Sequence, residues 1–218
     1  MMTIKRSLPA PLILTNNKSD YRYRHRDVKD QLYQDFLGKC YLCEQNISSA
    51  FDVDHREQKS LNQTNDHRKF DWTNLYPACS KCNQRRPKFQ IGDLLFPADG
   101  DDVESLITQR PSIDKSEIYV KIFPLSSDHK AKNTAKELNH IVNHRTDSSA
   151  LRIRTNISML IIKIQNCIYL FDHPASEAVK LEMKDSLERY FNKSYAFSTM
   201  LRQYFSALDQ NLTQFFMD

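Results

Sequence analysis

The chain has 218 residues, with 31 Lys+Arg, 27 Asp+Glu and only 3 Gly, where average usage would supply roughly 15 glycines. Gly38, Gly92 and Gly100 stand alone, so no G-x-G-x-x-G or Walker-type loop can be assembled and the chain has no nucleotide-binding loop of its own. A hydrophobic fraction of 40% with 11% aromatics excludes a disordered tail and indicates a globular protein of one or two domains.

The net charge of +4 divides unevenly. Residues 1–90 carry 16 Lys+Arg against 10 Asp+Glu, whereas residues 91–218 carry 15 against 17. The basic front half suits a polyanion, nucleic acid foremost. The slightly acidic back half points to a different task.

In chain order, residues 1–39 read as a basic arm and a short helix. Pro9 and Pro11 keep the start extended, and Tyr21-Arg22-Tyr23-Arg24-His25-Arg26 interleaves cations with aromatics. That segment reads either as a grip on nucleic acid through Arg22, Arg24 and Arg26 or as a solvated arm. Apolar positions 28, 32, 36 and 37 predict a helix, with Gly38 as its stop. Residues 40–90 are loop-rich and hold four cysteines, with a strand expected over 50–54. Residues 91–145 form a junction with an alternating strand over 117–123 and a helical pattern from about Lys130. Residues 146–218 carry three apolar stripes at helical spacing, the first running from Ile153 to Phe171 and broken at Asp172-His173-Pro174. These stripes read as mutual core packing, with a partner-docking face as the alternative. On the docking reading, 146–218 is removable without unfolding the cysteine-rich core. The expected class is α+β.

Pro9 and Pro11 interrupt the apolar stretch near the start, and the longest strongly apolar run is 159–162, so no membrane association and a cytoplasmic location are expected. In that compartment structural disulfides are rare, and four of the five cysteines need another explanation. Cys40-Tyr41-Leu42-Cys43 and Cys79-Ser80-Lys81-Cys82 are two C-x-x-C knuckles separated by 35 residues. Two thiolates on each tight turn supply the four tetrahedral ligands that Zn²⁺ prefers, and a closed Cys₄ set is structural. A redox dithiol is the competing reading, weakened by there being two matched pairs. Cys167 lies on a helical apolar face and reads as core.

Between the knuckles come Asp52-Val53-Asp54-His55 and then Trp72-Thr73-Asn74-Leu75, and Asn83 directly follows the last cysteine. Phosphodiester hydrolysis needs an activated water and neutralisation of developing charge. His55 suits a general base, while Asp54 and Asn83 offer the oxygen ligands that Mg²⁺ or Mn²⁺ takes. Adjacent on a strand, Asp54 and His55 point to opposite faces.

The ordered set C-x-x-C, D-H, W-x-N-L and C-x-x-C-N, with Arg86 three beyond Asn83, spans about 49 residues, 40–88, and resembles the HNH (ββα-metal) endonuclease family. That resemblance implies a metal-dependent endonuclease cutting DNA, with RNA not excluded. It implies that His55 is the base, that Asn74 orients its imidazole, that Asp54 and Asn83 hold the catalytic ion, and that the strand end and the following helix bring Asp54 and His55 to one phosphate despite their opposite faces. Arg56, Lys81, Arg85, Arg86 and Lys88 would lie along the phosphate backbone. Two departures stand out: Asn83 occupies the position of the third motif letter, and the proline common soon after the His is replaced by Arg56-Glu57-Gln58. The polar insertion 59–69 is longer than the family minimum, and Glu57 and His67 within or beside it read as solvated, with joining the site as the alternative. The Ile-Lys-Arg opening, Cys40–Glu44, the Asp-Asp-Val-Glu stretch and the helical tail resemble the HNH subunit of Septu-type anti-phage systems, also found with some retrons. That family implies a separate ATPase subunit as partner. The alternative class is a four-cysteine zinc module that binds nucleic acid or protein without cutting.

Overall fold

The computed structural model describes residues 1–15, 20–48, 50–57, 67–87, 92–114 and 117–217. Its elements are mixed, as the α+β expectation holds: two small antiparallel sheets and a helical C-terminal region.

Helix α1, Arg26–Asp35, starts at His25, whose ring nitrogen accepts from Asp27 N. It buries Val28 and Leu32. The chain leaves the helix through Leu37 (φ 54°) and Gly38 (φ 66°), with Gly38 N bonded to Tyr33 O at 2.8 Å. A Cβ at Gly38 would lie 2.9 Å from the ring of the exposed Tyr33, which can move aside, so it is the left-handed backbone of this exit that favours glycine.

The first knuckle follows at once. Cys40 N bonds Gln45 O and Glu44 N bonds Cys40 O, both at 2.9 Å, and Tyr41 N donates to Pro77 O at 3.0 Å. Strand β1, Asp52–His55, pairs antiparallel with β2, Leu75–Ala78, in the register Asp52↔Ala78, Val53↔Pro77, Asp54↔Tyr76 and His55↔Leu75. Every residue of β2 is buried. Cys79 caps α2, Ser80–Arg85, which packs on β1. The result is a strand pair followed by a short helix, with one knuckle before β1 and the other at the helix start.

After the short helix α3, Val103–Leu106, strands β3, Ile107–Asp114, and β4, Glu117–Pro124, form a second antiparallel pair. Pro111 in β3 faces Val120, whose N–H and C=O bond instead to the Asn143 side chain at 3.0 and 2.7 Å. Pro111 thus sits where no ladder donor is needed. The outer edge of β3 is covered by Gln203, which accepts from Gln109 N and donates to Ile107 O, both at 2.9 Å.

Helices α4, His129–Val142, α5, Ser148–Asp172, α6, Glu177–Phe191, and α7, Ser198–Leu208, complete the fold. Helix α5 stops at the expected Asp-His-Pro break, and the third apolar stripe divides at Asp209 into α7 and a 3₁₀ turn, Gln210–Phe215. The apolar core is continuous, running from Met1 and Leu32 through Cys40, Trp72 and Leu138 to Ile157, Phe197 and Phe215.

Polar contacts also cross from the first knuckle to the last helices. The fully buried Lys39 ammonium donates to the carbonyls of Lys193 and of Tyr195 (3.2 Å) and to Ser198 Oγ (2.9 Å). Glu44 accepts from Thr199 N through its carboxylate and from Phe197 N through its carbonyl, each at 3.1 Å. The knuckle is therefore built into the helical region, against the expectation that 146–218 is separable from it.

No described helix is long and apolar enough to cross a membrane.

Candidate functional site

The two knuckles converge. The sulfurs of Cys40, Cys43, Cys79 and Cys82 all lie within 4.8 Å of one another, three of these residues buried and Cys79 half-buried. Among the described residues this is the one group of three or more His, Cys, Asp or Glu side chains close enough to hold a metal ion. Hydrogen bonds from Cys40, Cys43 and Cys82 pull the Cys79 thiol down, while the same crowding pushes Cys43 and Cys82 up. Four soft donors in a nearly closed pocket suit Zn²⁺ in a structural role, with no open coordination position supplied by oxygen ligands.

Strand β1 divides the second set of predicted residues between its two faces. Asp52 and Asp54 face α2: Asn83 Nδ2 donates to Asp52 Oδ2 at 3.2 Å, and Arg86 Nη1 donates to Asp54 Oδ2 at 3.0 Å. The Tyr41 hydroxyl reaches the same Asp54 oxygen at 2.6 Å. Burial pushes the Asp54 carboxyl up, and Arg86 and Tyr41 act against it, leaving it above its ordinary value. Asp54 Oδ1 and Asn83 Oδ1 take no hydrogen bond from the described residues. Asp52 was not singled out from the sequence, although the D-x-D alternation on a strand places it beside Asp54.

His55 faces the other way. Its ring meets Tyr23 edge-on at 4.9 Å, and Nε2 lies 3.0 Å from Lys69 O. A carbonyl only accepts, so this contact puts the proton on Nε2 and the neutral ring's lone pair on Nδ1. Asn74, 2% exposed, accepts from Glu57 N at 2.7 Å and donates to Glu57 O and Arg68 O at 3.2 and 3.1 Å. Its amide ties together the two ends of the excursion between β1 and Trp72. It acts on the imidazole through the chain, Arg68 being the neighbour of the residue whose carbonyl holds His55.

The predicted cations separate into two kinds. Arg56 is fully buried, donating to Leu95 O at 2.8 Å and Glu137 Oε2 at 2.6 Å. Arg86 donates to Glu137 Oε1 at 2.6 Å, to His55 O at 2.6 Å and to Arg56 O. These two guanidiniums are spent inside the protein, on Glu137 of α4, and Arg56 is off any surface that a phosphate backbone could touch. Arg56 and Arg86 outweigh the effect of burial on Glu137 and hold its carboxyl below the usual range. Glu137 has no local sequence signal, because its partners are 51 and 81 residues away.

Lys81, Arg24 and Arg26 are exposed and Arg85 is half-buried. Arg24 lies over the rings of Tyr21 and Tyr23 (5.7 and 5.3 Å), Arg26 pairs with Asp30 at 3.2 Å, and half-buried Arg22 donates to Leu14 O at 2.8 Å and lies over Phe70. This arm flanks the His55 side of β1. Glu57 is buried and paired with Arg68, in place of the solvated position expected for it. Lys88, the stretch 58–66 and the His67 side chain lie outside the described residues.

Comparison with protein-family models, with curated proteins and with solved structures finds no match to this chain.

Proposed function

We propose that this chain is a metal-dependent endonuclease of the HNH type, hydrolysing phosphodiester bonds of nucleic acid, DNA foremost. The observation that carries the reading is one of order and register. A strand ending in Asp54-His55 pairs with a second strand that follows Asn74, and the next helix bears Asn83 and ends at its cap residue Arg86. The four-cysteine cluster holds the two ends of this unit together and fits a structural Zn²⁺.

In this reading Asp54 and Asn83, with Asp52 beside them, hold a Mg²⁺ or Mn²⁺ ion. Their free oxygens are the donor type such ions take. The ion supplies charge neutralisation at the scissile phosphate. His55, whose Nε2–H donates to Lys69 O, takes the attacking water's proton as general base. The new oxygen–phosphorus bond forms as the bond to the 3′ oxygen breaks, leaving a 5′-phosphate and a 3′-hydroxyl. Asn74 fixes the loop that orients the imidazole, and Arg24 and Arg26 line the same flank.

The wider proposal, an anti-phage effector working beside a separate ATPase chain, rests on the resemblance and on an exposed apolar stripe of α5. Leu151, Met159, Ile162 and Tyr169 are each more than half exposed there. A second reading, a zinc module that binds without cutting, is favoured by one contact: Asp54 Oδ2 is already shared by Tyr41 and Arg86, so a divalent ion must compete with a guanidinium.

The test is cleavage of plasmid and single-stranded DNA by the zinc-loaded chain in Mn²⁺, alongside Mn²⁺ binding measured directly. Replacing a general base is expected to cost about 10²-fold or more in rate. Cleavage that survives H55A overturns the endonuclease assignment. Mn²⁺ binding that is absent, or unchanged in D54A and N83A, favours the non-cutting module.

A further inference from the structure

A cavity of about 230 Å³ opens between α2 and the first turn of α5. Its polar wall includes Lys81 and Arg85 from α2, Arg152 from α5, and Gln45, Asn46, Ser80 and Ser149, and Cys79 of the cysteine cluster also lines it. Three cations around a space large enough for a phosphate group are costly to leave facing one another unless an anion joins them.

The three are not equally satisfied. Arg85 is firmly placed: Nε donates to Lys81 O at 3.1 Å and Nη1 to Ile141 O at 2.8 Å. Its Nη2 is buried and has no hydrogen-bond partner among the described residues. Lys81 and Arg152 are exposed, and neither side chain makes an ion pair or hydrogen bond with the described residues. The carboxylate that approaches is Asp147, 3.4 Å from Arg85 Nε. Its Oδ1 is already occupied as the cap of α5, accepting from Ser149 N at 2.7 Å and Ala150 N at 3.3 Å and from Ser149 Oγ. Those bonds hold the Asp147 carboxyl down at about 2, so it stays ionised and offsets one of the three positive charges. The end of α5 is thereby closed by its own cap. The unmatched charge is that of the side chains Lys81 and Arg152, and the unmatched donor is Arg85 Nη2.

We infer that this cavity holds one backbone phosphate of a bound nucleic acid strand, with Arg152 closing it from the helical region. The identification of the phosphate as part of a nucleic acid rests on the endonuclease reading, since Lys81 and Arg85 lie on the helix that carries Asn83; the oxyanion chemistry does not. The helical half thus contributes to the footprint on nucleic acid, in addition to any protein it docks.

The experiment uses the full zinc-loaded chain in Ca²⁺ with a fluorescent 20-mer, single-stranded and duplex, as DNA and as RNA, titrated by anisotropy over a range of KCl concentrations. R152A and the double variant K81A/R152A change exposed side chains, and unchanged urea midpoints verify their folding. Loss of one phosphate contact is expected to reduce the salt slope by about 0.9 for a duplex or 0.7 for a single strand, and to weaken binding about 5- to 10-fold near 0.1 M salt. The weakening is independent of sequence. R152K retains most of the affinity. Unchanged affinity and slope in the double variant overturn the inference, as does a wild type that binds none of the oligonucleotides. A parallel titration with inorganic phosphate separates the sources: if R152A abolishes a phosphate-induced rise in Tm but leaves oligonucleotide binding intact, the cavity serves free phosphate and the inference fails. Mn²⁺-dependent cleavage in the same samples keeps the two readings apart. Cleavage with no effect of the variants on binding removes the phosphate site alone, and a variant effect on binding together with cleavage that survives H55A removes the endonuclease alone.

Discussion

Glu137 Oε2 lies 2.6 Å from Arg56 Nη1, and both side chains are completely buried. The other carboxylate oxygen takes Arg86 Nε at 2.6 Å, and Arg86 goes on to Asp54 at 3.0 Å. One residue of α4 therefore sets the position of the two guanidiniums behind the end of β1, and through them the Asp54 carboxylate. Removing one partner of such a group leaves an uncompensated buried charge, which costs about 3–5 kcal/mol. E137A is expected to lower the unfolding free energy by that amount, read as a lowered urea midpoint at unchanged slope. E137Q, which keeps shape and an acceptor but loses the charge, is expected to lie between E137A and wild type.

The same group gives a pH dependence of definite sign. The Glu137 carboxyl is held below its ordinary 4.5 in the folded protein. Between the folded and unfolded values the unfolded chain binds more protons, so stability rises with pH. Glu137's contribution is fully present above about 4.5 and is lost as the pH falls through the folded value. Urea midpoints of wild type and E137Q are expected to converge on acidification below pH 4.5. A gap of constant size down to the acid transition contradicts this.

Metal removal tests the cysteine cluster. The unit from Lys39 to Arg86 has two four-residue strands and a six-residue helix, too little regular structure to hold by itself. Structural zinc supplies folding free energy directly. The purified chain is expected to contain one Zn²⁺ per molecule. A strong chelator at neutral pH, or C82S alone, is expected to abolish the cooperative unfolding transition of this unit, read from the near-ultraviolet signal of Trp72, which is buried in the same core. A metal-free chain with an unchanged transition rules the zinc role out.

Spacing carries chemistry well when the chemistry is local. Cys40/Cys43 and Cys79/Cys82 announced their cluster because two ligands on one tight turn must share a metal edge. Residues 28–37 announced α1 because Gly38 marks its end, and the D-V-D-H alternation announced β1. Strand β3 was not legible: Ile107–Asp114 contains Pro111 and few alternating apolar positions, and only Asn143, 32 residues later in the chain, makes that proline harmless by taking the Val120 backbone. The same limit hid the fate of Arg56 and Arg86. A cation beside a nuclease-like motif reads as phosphate-facing until the fold brings Glu137 to it. The segregation of +6 and −2 between the halves of the sequence likewise says nothing about Lys39, a front-half cation that ends up enclosed by the carbonyls of the turn between α6 and α7.

That enclosure predicts the outcome of truncation. Removing 146–218 takes away Ser198 and the carbonyls of Lys193 and Tyr195 from the Lys39 ammonium, and the Phe197 and Thr199 amides from Glu44. It also strips Ile157, Phe197 and Leu201 from the shared apolar core. A 1–145 fragment is expected to show no cooperative urea transition even with zinc present, and to exchange its α1 and β2 amides rapidly. A sharp transition in that fragment contradicts this. Partner docking is therefore better mapped with single changes on the exposed α5 stripe, such as I162D, than by deletion.

Asn74 provides the finest test of the site. Its side chain accepts one backbone bond and donates two, to Glu57 O and Arg68 O. N74D keeps the acceptor and replaces both donated bonds with a carboxylate facing two carbonyl oxygens, whereas N74A removes all three. If Asn74 only stabilised the fold, the two variants would lose activity in proportion to their loss of stability. Because the Arg68–Lys69 backbone also holds the His55 imidazole, both are expected to lose Mn²⁺-dependent cleavage by about 10²-fold, the range for a displaced general base. That loss is expected even at temperatures where urea curves show each variant fully folded, with oligonucleotide binding in Ca²⁺ left near the wild-type value. The imidazole itself supplies the decisive readout. Its carbon-bound proton resonances are expected to shift and titrate differently in N74D and N74A, and a His55 spectrum identical to wild type would reduce Asn74 to a purely structural residue.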